Sequence, residues 1–359
     1  TPSASRTRID GSGLRAYTQT VNWLLLAMLA LPAGAKELED ALGEARKLWP
    51  PAQEVDRAAI RAPIREDLSG VEEDELIDQG RPTLWPLGEP APKKPPLIFV
   101  HGLGGELQDL GPLIKQFDAK HYQRYVLAYD DFATETSENG DGFASELKRL
   151  IAALGPGREW TIVAHSMGGL VSRRAINGLG PELKTMHRLK LFAIDSPWHG
   201  FWGPSDSGPG AVAATMLSPF VPDGINDMRA ESDMFQADGL LTKPLPGNVA
   251  VCLVFAQGGD AVWDYTEGEL AVLPAKLVAF FAKGQPVDGD ARLKNFWDAL
   301  SSSTAFPRLR EELAAAASRG TLDEGFARAA LLKHFPRLEG GHDTVLGNGA
   351  VLAEFKRCR

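Results

Sequence analysis

From Leu97 onward, short apolar runs alternate with segments of helical spacing, and this alternation limits the folds open to the chain. The runs are "LIFVHG" (97–102), "RYVLAYD" (124–130), "WTIVAHS" (160–166), "LKLFAID" (189–195) and "VAVCLVFAQGGD" (249–260), with a last one in "KHFPRLEG" (333–340). Helical stretches fall between and after them, at 143–154, 167–176 and 350–357. Strands that are apolar on both faces belong inside a mostly parallel sheet with helices covering each side. In such sheets the reactive loops gather at the carboxyl ends of the strands. Two segments interrupt the alternation. Residues 201–248 are rich in Gly, Pro and Ser, and 265–332 read as several helices. Both are expected as excursions covering the top of the sheet.

The first 96 residues are of another kind. Arg6, Arg8 and Arg15 precede the apolar "VNWLLLAMLAL" (21–31), and Ala33-x-Ala35 follows. That order matches a secretory signal peptide cleaved after Ala35. The alternative for 1–35 is an apolar helix packed on the domain or on a membrane surface. Residues 36–96 read as a helical, then proline-rich, lead-in to a domain spanning 97–359. "VEEDELID" is an acidic, solvated stretch and "RPTLWPLGEPAPKKPP" an extended one. The net charge of −9 and the absence of a basic run argue against a nucleic-acid partner. Two cysteines, Cys252 in an apolar run and Cys358 near the end, make neither a disulfide framework nor a metal-ligand cluster. They are expected as free thiols with Cys252 in the core, a single disulfide being the alternative.

Chemistry enters at Ala164-His165-Ser166-Met167-Gly168-Gly169, between a strand and a helix. A serine there can stand above the sheet edge on a strained turn, with small residues two before and two after to let strand and helix cross. The helix N-terminus favours negative charge, and the Met167 N–H can face a developing oxyanion. Here the chain resembles the α/β-hydrolase superfamily, in its bacterial lipase and esterase branch, over about residues 97–357. Alanine stands where the motif's first glycine is common.

The resemblance implies an α/β-hydrolase fold and a catalytic triad in the order serine, acid, histidine. "HGLGG" after the first strand is similar to the family's His-Gly oxyanion motif, which implies the N–H groups of Leu103 and Met167 as donors, each worth ~3–4 kcal/mol in the transition state. His101 is expected as a structural hydrogen-bonder. His342, in "LEGGHDTVLG" after the last strand, occupies the family position of the base, with His199 the rival and His334 assigned to packing. Asp260 resembles the family's acid in Gly-Asp-x-x-Val; Asp195 at the preceding strand end and Asp264 are alternatives. Asp343, next to the base in sequence, is set aside. Asp260 and His342 stand 82 positions apart, more than the family's usual short helix needs.

Trp198, Phe201 and Trp202 in "PWHGFWGPSDSGPG" suggest substrate-facing aromatics under a lid. Asp223, Asp227 and Asp233 are read as solvated carboxylates, with a structural calcium the alternative, and no metal or cofactor is expected. The reading is a serine hydrolase of carboxylic esters, lipase-like, with a small-molecule or lipid ester as partner. Lysophospholipase, thioesterase, acyltransferase and GPI-inositol-deacylase-like activities use the same triad. A non-catalytic binding protein on the same fold is the reading from a different class.

Overall fold

The computed structural model describes residues 63–89, 91, 93–200, 227–258 and 265–358, all within the compact unit Val55–Arg359; side chains are described from 268 on in the last of these ranges. The signal-like segment, residues 201–226 and Asp260 and Asp264 lie outside them.

Seven strands form one sheet: β1 (Thr83–Pro86), β2 (Pro96–Val100), β3 (Gln123–Ala128), β4 (Glu159–His165), β5 (Arg188–Ile194), β6 (Val249–Gln257) and β7 (Arg337–Glu339). Their spatial order is β1-β3-β2-β4-β5-β6-β7. β1 runs antiparallel to β3, and every other pairing is parallel. The sheet therefore begins before residue 97. β1 lies within the proline-rich stretch, and as an edge strand it accommodates Pro86, which has no N–H to donate to a second neighbour.

Helices are α1 (Gly111–Ile114), α2 (Thr136–Leu154), α3 (Met167–Leu179), α4 (Tyr265–Lys283), α5 (Ala291–Ser301), α6 (Phe306–Ser318), α7 (Glu324–His334) and α8 (Ala350–Arg357). Because side chains alternate across a strand, the sheet feeds two cores. Ile98, Val100, Ile162, Leu191 and Leu253 pack with Phe143, Leu170, Leu273 and Phe296 of α2 to α5. Leu97, Phe99, Val163, Phe192 and Val254 pack on the other face with Leu113, Phe117, Val351 and Phe355. The excursion at 265–332 is α4 to α7, and its buried leucines join the first core. No helix among the described residues is long and apolar enough to cross a membrane.

Two expectations change here. Cys252 of β6 and Cys358, just past α8, are joined in a disulfide with a Cα–Cα distance of 5.9 Å. The folding of α8 back onto the sheet brings together two thiols 106 positions apart. His334 ends α7 rather than lying in the last strand, and its Nε2 meets Glu312 Oε2 at 2.9 Å.

Candidate active site

The elbow is built as its residue types require. β4 ends at His165, Ser166 takes φ 51° and ψ −131°, and α3 starts at Met167. Three non-glycine residues have positive φ among those described: Gln79, Ser166 and Asp195. A β-carbon at this φ is strained by about 1–3 kcal/mol, a cost borne mainly at functional turns. Two of the three stand together, one residue past the ends of β4 and β5. Their strand termini are paired (His165↔Ile194), and the ladder continues through Ser166 N–H to Ile194 O and Asp195 N–H to Val254 O.

The glycines after the serine are required by close approach. A β-carbon on Gly168 would meet the carbonyl oxygens of His101 and Val100, and one on Gly169 would meet the Ser196 side chain. Gly102 lies against Ser166 in the same way. Gly168→Ala is expected to destabilise the fold by about 1–3 kcal/mol, since a methyl there overpacks a backbone crossing. A thermal melt against wild type measures it.

His342 reaches the site from the turn after β7, where Gly340 adopts φ 125° and closes on Gln257 O. It is buried, and its ring stands 4.5 Å from that of His165, the neighbour of Ser166. His165 Nε2 donates to the His342 carbonyl at 2.9 Å. His342 Nδ1 meets Asp195 Oδ2 at 2.7 Å, and Asp195 Oδ1 accepts from the Ala256 N–H at 2.9 Å. Burial raises the Asp195 carboxyl, but the bond from His342, that ring's charge and the Ala256 N–H outweigh it and hold the group below the usual carboxylate range. Burial beside His342 pushes His165 down to about 3, so it stays neutral.

The carboxylate on His342 is thus Asp195, where Asp260 had been expected. Nδ1 carries one proton to give, and Asp195 takes it. β5 and β6 end side by side on the same edge, and sequence spacing alone does not say which of them supplies the acid. His199, the rival base, is buried, and burial with the Arg292 charge nearby pushes it down to about 4. Trp198 is buried, with its ring against the α3 side of the elbow at Gly169. Phe201 and Trp202, like Asp223, fall outside the described residues. Asp227 accepts from the Ser137 N–H at the start of α2 at 2.7 Å. One trio among the described residues could offer metal ligands: His165, His342 and Asp343 hold ligand atoms within 4.8 Å of one another. Each imidazole commits one nitrogen, His165 Nε2 to the His342 carbonyl and His342 Nδ1 to Asp195.

The antiparallel first strand, the strand order and the serine elbow after β4 make this the α/β-hydrolase fold. Residues 94–190 match the family described as Lipase (class 2). Among solved structures the chain is similar to the mature-form lipase BlEst2 of Bacillus licheniformis, at 18% identity and a TM-score of 0.41 over 78% of this chain and 98% of that one. Aspergillus fumigatus lipase B aligns at 16% identity and TM-score 0.34 over 85% and 73%. Carboxylesterase CesB of Bacillus subtilis aligns at 11% and 0.37 over 77% and 87%. No curated protein matches the chain in sequence.

Proposed function

We propose that this protein hydrolyses carboxylic esters, with lipase-like substrates, through a covalent acyl-enzyme on Ser166. The observation that carries the reading is the 2.7 Å bond between His342 Nδ1 and Asp195 beside the strained serine turn. Asp195 fixes the imidazole with its proton on Nδ1, so Nε2 is the nitrogen that takes the Ser166 hydroxyl proton. The Ser166 Oγ adds to the ester carbonyl, and the N–H groups of Leu103 and Met167 receive the oxyanion. Met167 suits that role because it opens α3, where the first N–H groups have no partner inside the helix. His342 returns the proton to the leaving alcohol, and water activated by the same ring releases the acid. The other acyl-transfer reactions named above share these steps and differ in the groups that cover the site.

Export is proposed with it. The signal-like N-terminus supports it, and so does the Cys252–Cys358 disulfide, since such bonds persist mainly in oxidising compartments. An N-terminus at residue 36 in protein from its native host is the expected result; an intact leader overturns it.

The activity is tested with a p-nitrophenyl ester chain-length series and a fluorophosphonate label, on wild type and Ser166→Ala. Turnover and labelling are expected in wild type and absent in the variant. Wild type that does neither ends the enzyme reading. A maximum at long chains with a rate jump at an oil–water interface supports a lipase; short-chain preference makes it an esterase.

A further inference from the structure

The loop after β2 is tied to residues well ahead of the sheet. His101 is buried, and both its ring nitrogens face oxygens: Nδ1 lies 2.8 Å from Gly102 O and Nε2 2.8 Å from Glu73 Oε1. A carbonyl oxygen can only accept, so Nδ1 carries a proton, and the carboxylate opposite Nε2 holds a second one there. Glu73 sits in a single 3-10 turn, Glu73–Glu75, and its Oε1 also accepts from the Tyr129 N–H at 3.1 Å. The Tyr129 ring stacks on His101 with centroids 4.3 Å apart, and its hydroxyl donates to His101 O at 2.7 Å.

Its output is the orientation of one peptide unit. Gly102 O accepts from His101 Nδ1–H and from the Gly105 N–H at 3.1 Å. In a trans peptide the N–H points opposite the C=O, so two donors that fix Gly102 O also fix the direction of the Leu103 N–H. The Gly104 N–H is occupied by Asp131. With 104 and 105 engaged, Leu103 is the donor of this loop on the side where Gly102 packs against Ser166.

We propose that Glu73, acting through His101, is a positioning residue that aims the Leu103 N–H at the reacting oxygen, so that the segment before the sheet is part of the catalytic apparatus. This rests on the ester-hydrolase reading above. The titratable groups facing His101 are Glu73 from the 3-10 turn, Asp131 beyond β3, whose carboxyl burial pushes up to about 7, and the neutral His165 at the end of β4, with Tyr129 stacked on the ring. Burial opposes the charge on His101, but Glu73, Asp131 and the bond to Gly102 O raise it to about 9 from the ordinary 6.5. Without the Glu73 carboxylate the largest supports of that charge are gone, only Asp131 and the bond to Gly102 O still oppose burial, and the ring loses its proton at lower pH.

The test is kcat, KM and their pH profiles for wild type, Glu73→Ala and Glu73→Gln, with melting curves for each. In wild type, kcat should fall on the alkaline side as His101 loses its proton near 9. In Glu73→Ala that limb should move to lower pH and kcat at pH 7.5 drop roughly 10- to 100-fold, less than the 100- to 1,000-fold of deleting a donor outright. KM should stay within about twofold, since uniform binding is untouched. Fluorophosphonate labelling should slow by the same factor as kcat. Glu73→Gln keeps the side-chain size if the alanine variant does not fold; it should move the alkaline limb to lower pH too, with a smaller fall in kcat. A folded Glu73→Gln with the wild-type kcat and alkaline limb overturns the proposal. Wild type inert toward esters and label overturns the parent reading instead.

Discussion

Asp195→Asn is expected to lower kcat about 10⁴-fold while leaving KM and the melting temperature close to wild type. The asparagine oxygen can still accept from the Ala256 N–H, so the local fold persists. Its amide NH2, however, now faces His342 Nδ1 and donates to it. The ring proton moves to Nε2, the nitrogen that must accept from Ser166, and the remaining tautomer cannot act as a base. The negative charge that would support the imidazolium is lost as well. In wild type that charge is secure, because its partners hold Asp195 below the usual carboxylate range. Steady-state kinetics on a short p-nitrophenyl ester measure the effect. Asp260→Asn is the comparison, expected to stay within about tenfold of wild type. If Asp260→Asn gives the large loss and Asp195→Asn does not, the acid is misassigned.

The second large effect is on stability. Cys358→Ser should cost about 2–5 kcal/mol, and the upper end applies if the chain-entropy account holds, because the disulfide closes a span of 106 residues. For a domain of this size that is a fall in melting temperature of about 5–15 °C. The loss should begin at the C-terminal helix. Phe355 of α8 packs edge-on against Phe117 and Phe192, and Cys358 pins the end of that helix to β6. The helix follows directly on the turn that carries His342, so heat inactivation of turnover should track the melt. Reductant should lower the wild-type melting temperature by the same amount and leave Cys358→Ser unchanged. A wild-type melt insensitive to reductant contradicts this.

Much of the fold and part of the site are legible in the residues. Runs such as "WTIVAHS" and "LKLFAID" are apolar on both faces, and only a covered parallel sheet satisfies them. The placement of Ser166 at a strand-to-helix turn and of His342 after the last strand follows from the sequence pattern. Asp195 is harder to find, because parallel strands deliver several carboxylates to one edge and only the register decides which meets the imidazole. A signal was present: an aspartate directly after a strand whose last four residues are buried, followed by Ser196 and Pro197. The disulfide depends on a return of α8 to β6 that no local pattern encodes. Glu73 looked like one acid in a solvated run, since its partner stands 28 residues away on another element.

Ser166 and Asp195 each stand one step beyond a paired strand end, with the ladder's hydrogen bonds running through both. Their separation is therefore a unit of the sheet itself, neighbouring strands lying about 4.8 Å apart. No loop sets it. The segments 201–248 and 265–332 can lengthen, shorten or change character without altering the distance between Ser166 and Asp195. On the proposed mechanism the chemistry is written in the hydrogen-bond ladder, and the choice of ester can vary independently of it.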